Sequence, residues 1–143
     1  MRSFYVSMKL VFGYRNKKLS YQKEVGAKGE HLAVKFLRKN GFKILQRNYA
    51  CRCGEIDIIC YDRGAIVFVE VKTRHSDTYG PPELSVTEAK KRQIIKVAKY
   101  YVAKKKVHDI DLRFDVVSIL YPPHGENPTI TLFKNAFTKY YDY

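Results

Sequence analysis

Residues 54–72 read GEIDIICYDRGAIVFVEVK, two β-prone runs on either side of an Asp62-Arg63-Gly64 turn signal. Taken as strands, Glu55 to Tyr61 and Ala65 to Lys72 pair as a hairpin. Side chains alternate faces along a strand. Val67, Val69 and Val71 therefore share one side and Ile66, Phe68, Glu70 and Lys72 the other. By the same rule Glu55 and Asp57 share one side of the preceding strand, and Ile56 and Ile58 the other. A two-residue turn at Arg63-Gly64 sets Asp57 across from Glu70 and Glu55 across from Lys72; a loop one residue longer or shorter would send the acids to opposite faces.

The Val and Phe content of residues 66–71 is that of a buried central strand, where an unpaired charge costs several kcal/mol. Two carboxylates opposed across a strand pair, with Cβ atoms about 4.5–5.5 Å apart, repel by about 4 kcal/mol at a 4 Å separation and an effective dielectric near 20. A divalent cation removes that repulsion. Oxygen ligands from Asp57 and Glu70 suit Mg²⁺ or Mn²⁺, whose shell is completed by water and substrate phosphate. The plain alternative is a surface Glu-x-Lys salt bridge worth about 0–1 kcal/mol. A second acid and a third, Glu30, on the same side of the fold argue against it.

Working outward, Glu24 to Asn40 carries Val25, Leu32, Ala33, Phe36 and Leu37 at helical spacing and ends at Gly41, a C-cap signal. On this helix Glu30 lies about 20° from Leu37 and about 60° from Ala33, on the core side. Gly26 and Gly29 would allow close approach to the sheet. Phe42 to Tyr49 reads as a first strand, Val86 to Lys106 as a long helix, Arg113 to Leu120 and Thr129 to Phe133 as further strands, with loops at Ser76 to Pro82 and Pro122 to Pro128. The long helix turns Ile94, Ile95, Ala98, Tyr101 and Val102 inward and carries Arg92, Lys96 and Lys99 on another face, read either as a phosphate track or as a solvated face. Arg113 and Asp115 read as a structural ion pair. The predicted organisation is an N-terminal extension, residues 1–23, and one α/β domain, residues 24–143, with a mixed sheet of about five strands flanked by helices.

The 143 residues carry 27 Lys and Arg against 14 Asp and Glu, a formal charge of +13. Such a field points to a polyanionic partner. The 45% apolar content argues against disorder, and no apolar run approaches the roughly 20 residues of a membrane span. Residues 1–14 lack the cleavage site of a signal peptide, so the expected location is the cytoplasm. Cys51, Cys53 and Cys60 form neither a disulfide framework nor a zinc pattern, and His31, His75, His108 and His124 show no ligand spacing.

Gly29-Glu30, Arg47-Asn48-Tyr49, Gly54-Glu55-Ile56-Asp57, residues 67–74, Arg113-Phe114-Asp115-Val116 and Asn135-Ala136-Phe137 together resemble the YraN-like bacterial family in order and spacing. The resemblance runs from about Glu24 to Phe137 and implies a restriction-endonuclease-like core. The PD-(D/E)xK signature of that fold falls on Asp57 and Glu70-Val71-Lys72, with Ile56 in the place of its proline; Holliday-junction resolvases are similar and carry an acid where Glu30 stands. The resemblance implies a metal-dependent DNA endonuclease, selective for branched or structured DNA and leaving a 5′-phosphate. Asp57, Glu70 and Lys72 would be catalytic. Asp57, Glu70, the Val71 carbonyl and Glu30 would hold Mg²⁺ or Mn²⁺, with Glu55 behind them. Arg74, Lys90, Arg92, Lys96 and Lys99 would contact DNA, and resolvase analogy suggests a homodimer with no membrane partner. The competing readings are a nucleic-acid-binding module without turnover, and an adaptor using the N-terminal extension and Tyr140, Tyr141 and Tyr143.

Overall fold

The computed structural model describes residues 2–75, 85–125 and 127–138, with side chains from residue 18 onward. Its elements run α1 (Arg2–Lys39), β1 (Lys43–Cys51), β2 (Gly54–Asp62), β3 (Ala65–Arg74), α2 (Glu88–Lys104), β4 (Asp111–Leu120) and β5 (Thr129–Phe137). The sequence order of helix, three strands, helix, two strands is the observed one. The loop expected over Ser76 to Pro82 and Tyr140, Tyr141 and Tyr143 lie outside the described residues. No helix among the described residues is long and apolar enough to cross a membrane.

The strands form one mixed sheet in the order β1-β2-β3-β4-β5, antiparallel except for β3 and β4, which are parallel. A parallel pair requires a crossover, and α2 supplies it. Ile59, Ile66, Phe68, Phe114 and Val116 pack against Ile94, Val97, Ala98 and Tyr101 of α2. Ile58, Cys60, Val67, Val69, Val117 and Ile119 pack against Ala33, Val34 and Leu37 of α1. The central strand β3 is buried on both faces, which is why it reads as a continuous apolar run.

Three expectations change. Helix α1 begins at Arg2, where periodicity alone supported a start at Glu24. No proline interrupts residues 2–40, and single glycines cost a helix about 1 kcal/mol each without ending it. The close approach assigned to both Gly26 and Gly29 holds at Gly29, where a Cβ would collide with the Thr73 hydroxyl on β3; around Gly26 the space is open. Ile56 and Ile58 do not share a face: Ile56 packs on the α2 side and Ile58 on the α1 side. Arg47 pairs with Ile58 and Tyr49 with Ile56, leaving Asn48 opposite Asp57. Asn48 adopts a left-handed φ of 48°, a conformation that asparagine tolerates better than most residues, and the break in alternation falls at this pair.

The Arg63-Gly64 turn is as expected. Both residues have positive φ, 47° and 91°, the requirement of a type I′ hairpin turn, and Asp62 pairs with Ala65. At this end of the sheet Arg113 donates to Asp62 at 2.8 Å and to Asp115 at 2.9 Å, and the Asn135 backbone N–H donates to Asp115 at 2.9 Å. Asp115 is fully buried and sits where β4 and β5 shift register. The Arg113 and Asp115 pair is therefore structural, as the sequence suggested. Asp115→Ala, which leaves the Arg113 guanidinium short of a partner, should cost about 3–5 kcal/mol in urea denaturation. A loss under 1 kcal/mol would show that the network is not a structural requirement.

Candidate metal and phosphate site

The β2 and β3 ladder runs from Asp62 and Ala65 to Ile58 and Val69 and then opens. Its register carries Asp57 and Glu70 to the mouth of the fork on adjacent strands, the juxtaposition that the two-residue turn demands. The Val71 backbone N–H, released from the ladder, donates to Asp57 Oδ2 at 2.7 Å. That bond fixes the Asp57 carboxylate on the strand next to Glu70, near enough that each carboxyl shifts the other.

Glu70 is buried, 6% exposed, and its Oε2 has no hydrogen-bond partner. Its Oε1 lies 3.6 Å from Lys72 Nζ and 3.9 Å from Lys90 Nζ. Burial first, and the Asp57 charge second, push the Glu70 carboxyl up to about 7 despite the two ammonium groups. The Asp57 carboxyl is also raised, by burial, with the Val71 N–H, Lys90 and Lys72 acting against the rise. Glu30, on α1, is raised by burial and by the Asp57 charge, while a hydrogen bond from Asn48 opposes the shift. Three acids thus gather at the end of a sheet in a chain of net charge +13.

The positions read from sequence divide into those the fold brings together and those it does not. Glu30, Asp57, Glu70 and Val71 line one cavity of about 550 Å³, with Lys72 on the far side of Glu70. Val71 meets Asp57 through its N–H. Glu55 is exposed and reaches the cluster through its charge on Glu30; Lys72 pairs with Glu70, not with Glu55 across the strand. Lys90, expected only to touch DNA, stands at Glu70. Its backbone N–H donates to the Thr87 Oγ1 helix cap at 3.1 Å, so the cap that starts α2 also places this lysine. Arg92, Lys96 and Lys99 are exposed on α2, away from its buried Ile94 and Val97, and do not join the cluster. Arg74 ends β3.

Sequence reading gave Asn48 no role of its own, yet it stands opposite the face switch at Asp57 and hydrogen-bonds Glu30. An asparagine inside a β-run, where it is disfavoured, was the available signal. It also missed the Lys18, Tyr21, Gln22, Val25, Thr73 and His75 parts of the cavity wall, which converge only in three dimensions. Gly54 has φ 139° and lies against the Gln93 side chain, so that a Cβ there would collide with α2. This packing holds the β1–β2 turn, and with it Asp57, in fixed relation to the helix that carries Lys90.

Among the described residues no three His, Cys, Asp or Glu side chains form a ready metal cage. Asp57 and Glu70 nevertheless fit a hard dication. Mg²⁺ is commonly held by one or two carboxylates, with waters and a substrate phosphate filling the rest of its shell, and the orphaned Glu70 oxygen and the raised carboxyls mark a place short of positive charge. A five-stranded mixed sheet with a helix on each face is consistent with a nuclease-like α/β core. The chain belongs to the uncharacterised protein family UPF0102, the YraN-like group, whose model matches residues 29–119. It is similar to UPF0102 proteins of Geobacter metallireducens, 51% identical over 82% of this chain and 94% of that one, and of Clostridium tetani, 45% identical over 82% and 97%.

Because the folded Glu70 carboxyl lies near 7 and an unfolded one near 4.3, the unfolded chain releases this proton first as pH rises. Stability then falls with pH between about 4.5 and 7 and levels off above that range. Glu70→Gln removes the penalty. Its melting temperature relative to the unsubstituted chain, measured without divalent metal, should climb across that pH window and stay constant above it. A flat or falling difference would mean that Glu70 is ionised at no cost in the fold.

Proposed function

We propose that the protein is a Mg²⁺- or Mn²⁺-dependent phosphodiesterase acting on DNA, an endonuclease selective for branched or structured substrates. The observation that carries this reading is the Asp57 and Glu70 pair, held side by side in a buried fork with Lys72 and Lys90 within 4 Å of Glu70. At the other end of the sheet Asp62 and Asp115 close on Arg113 at 2.8 and 2.9 Å, whereas the two lysines reach one oxygen of Glu70 and leave the other without a hydrogen-bond partner. Here like charges are pressed together beside a cavity.

Asp57, fixed by the Val71 N–H, and Glu70, through its unpartnered Oε2, would hold the metal, with Glu30 acting from the cavity wall. Bound there, the metal would polarise the scissile phosphate and acidify a water molecule. Lys72 and Lys90 offer two ammonium groups to the phosphate oxygens, which gain charge in the transition state. With a metal held by the carboxylates, Lys72 and Lys90 would be released from Glu70 to face the phosphate. The exposed Arg92, Lys96 and Lys99, with Arg74, supply contacts to the rest of the DNA backbone, and binding should weaken steeply with salt. The cytoplasm suits such a protein, and a homodimer would place two sites for cutting two strands.

The test is cleavage of labelled four-way, flapped and linear DNA with Mg²⁺ or Mn²⁺. Glu70→Ala and Lys72→Ala should each lower the rate by about a hundredfold or more, and Mn²⁺ should raise the melting temperature of the unsubstituted chain but not of Glu70→Ala. DNA binding without cleavage under either metal would make the protein a non-catalytic nucleic-acid-binding module, and equal cutting by the variants would remove the site.

A further inference from the structure

Positions 18, 21, 22, 25, 26, 29, 30 and 33 follow one another at helical spacing and form one face of α1. At its C-terminal end this face is core: Ala33 is fully buried, and Gly29 lies against Thr73. Toward the N-terminus the helix runs past the end of the sheet, and the same face stands over a gap. That gap is the 550 Å³ cavity, walled by Lys18, Tyr21, Val25 and Gly26 on one side and by Thr73 and His75 on the other, with Asp57 and Glu70 at its base. The volume falls in the roughly 300–1,000 Å³ range of small-molecule pockets, room for a nucleotide and far too little for a duplex.

The wall chemistry suits a base. Tyr21 is 60% exposed, a large ring left in water at the edge of the site. His75 contributes a ring already stacked on Tyr121, with centroids 5.3 Å apart and planes within 19°. Gly26 has nothing within 4 Å of where a Cβ would stand, so the helix leaves open space where a side chain would project. Lys18 adds a positive charge to a wall that mixes the Tyr21 and His75 rings and Val25 with the polar Gln22, Thr73 and Glu30. Residues 18–26 precede the stretch matched by the family model.

We infer that this cavity takes one unpaired base of a DNA strand, stacked against Tyr21 and His75, while the adjoining phosphate lies at Asp57, Glu70, Lys72 and Lys90. The inference rests on the proposed phosphodiesterase reading and specifies its substrate: DNA in which a nucleotide is free of its stack, as at a flap, a fray or a junction. Aromatic stacking serves any base, so the pocket selects for an unpaired state and not for a sequence.

The full-length chain should bind a short single strand carrying 2-aminopurine and quench its fluorescence. Tyr21→Ala should weaken that binding about tenfold and abolish the quenching, and Tyr21→Phe should keep both. Gly26→Leu fills the cavity from a helical position with open space around it. It should melt no lower than the unsubstituted chain and yet lose the quenching, which separates blocking from unfolding. Affinity for a blunt duplex should change less than twofold in all three. Unaltered quenching in both Tyr21→Ala and Gly26→Leu, or an equal loss of duplex binding, overturns the pocket. Cleavage assayed in parallel with Mg²⁺ keeps the two readings apart: quenching without cleavage by the unsubstituted chain removes the nuclease and leaves the base pocket, and cleavage without quenching does the reverse.

Discussion

The hydrogen bond from the Val71 N–H to Asp57 Oδ2 is where this structure turns from fold to site. It exists because the β2 and β3 ladder ends before Val71, at Ile58 and Val69, which frees a backbone donor that must find an acceptor. Asp57 provides it from the neighbouring strand. Satisfying that donor fixes an acid beside Glu70, whose carboxyl is raised by its burial first and by the Asp57 charge second. Removal of the bond would leave a buried N–H unpaired and free Asp57 to turn toward water, so the backbone and the acid pair depend on each other.

The two ends of the sheet treat acids in opposite ways. At the turn end, burial pushes the Asp62 carboxyl up, yet the Arg113 hydrogen bond and charge, with Lys134 and Arg63 behind them, outweigh burial and hold it below its ordinary value. Asp115 accepts from both Arg113 and the Asn135 backbone. About 16 Å along β2, at 3.3 Å per residue, Asp57 and Glu70 have lysines nearby and are still raised. One difference is that a guanidinium reaches the acids of the turn end and meets Asp115 in a bidentate fork. Lysines at 3.6 and 3.9 Å from a single oxygen leave the other without a hydrogen-bond partner.

Much of this was legible in the sequence because it depends on local rules. The Arg63-Gly64 turn has one favoured geometry, and that geometry sets the hairpin register and so the nearness of Asp57 to Glu70. The buried character of β3 follows from its composition, and the Arg113 and Asp115 pairing from two residues on one strand. What was not legible depends on single backbone choices or on distant convergence. The alternation that placed Ile56 and Ile58 together breaks opposite one left-handed residue, Asn48. The length of α1 was hidden because a helix without a stop signal extends through residues with no clear periodicity. Lys90 and His75 reach the site from elements far apart in sequence, brought together by the crossover and the end of β3.

Each of the surrounding elements contributes to the site what the sheet lacks. The sheet offers two acids and a backbone donor, but no closed wall and few cations of its own beyond Lys72. Helix α2, capped by Thr87, brings Lys90 from one face, and α1 brings Glu30 and the cavity wall from the other. The chain as a whole carries +13, yet the fork gathers Glu30, Asp57 and Glu70. A basic exterior draws a polyanion at long range, but a polyanion alone would be repelled by that acidic interior. Under the proposed reading, a cation held between phosphate and carboxylates would reconcile the basic exterior with the acidic fork.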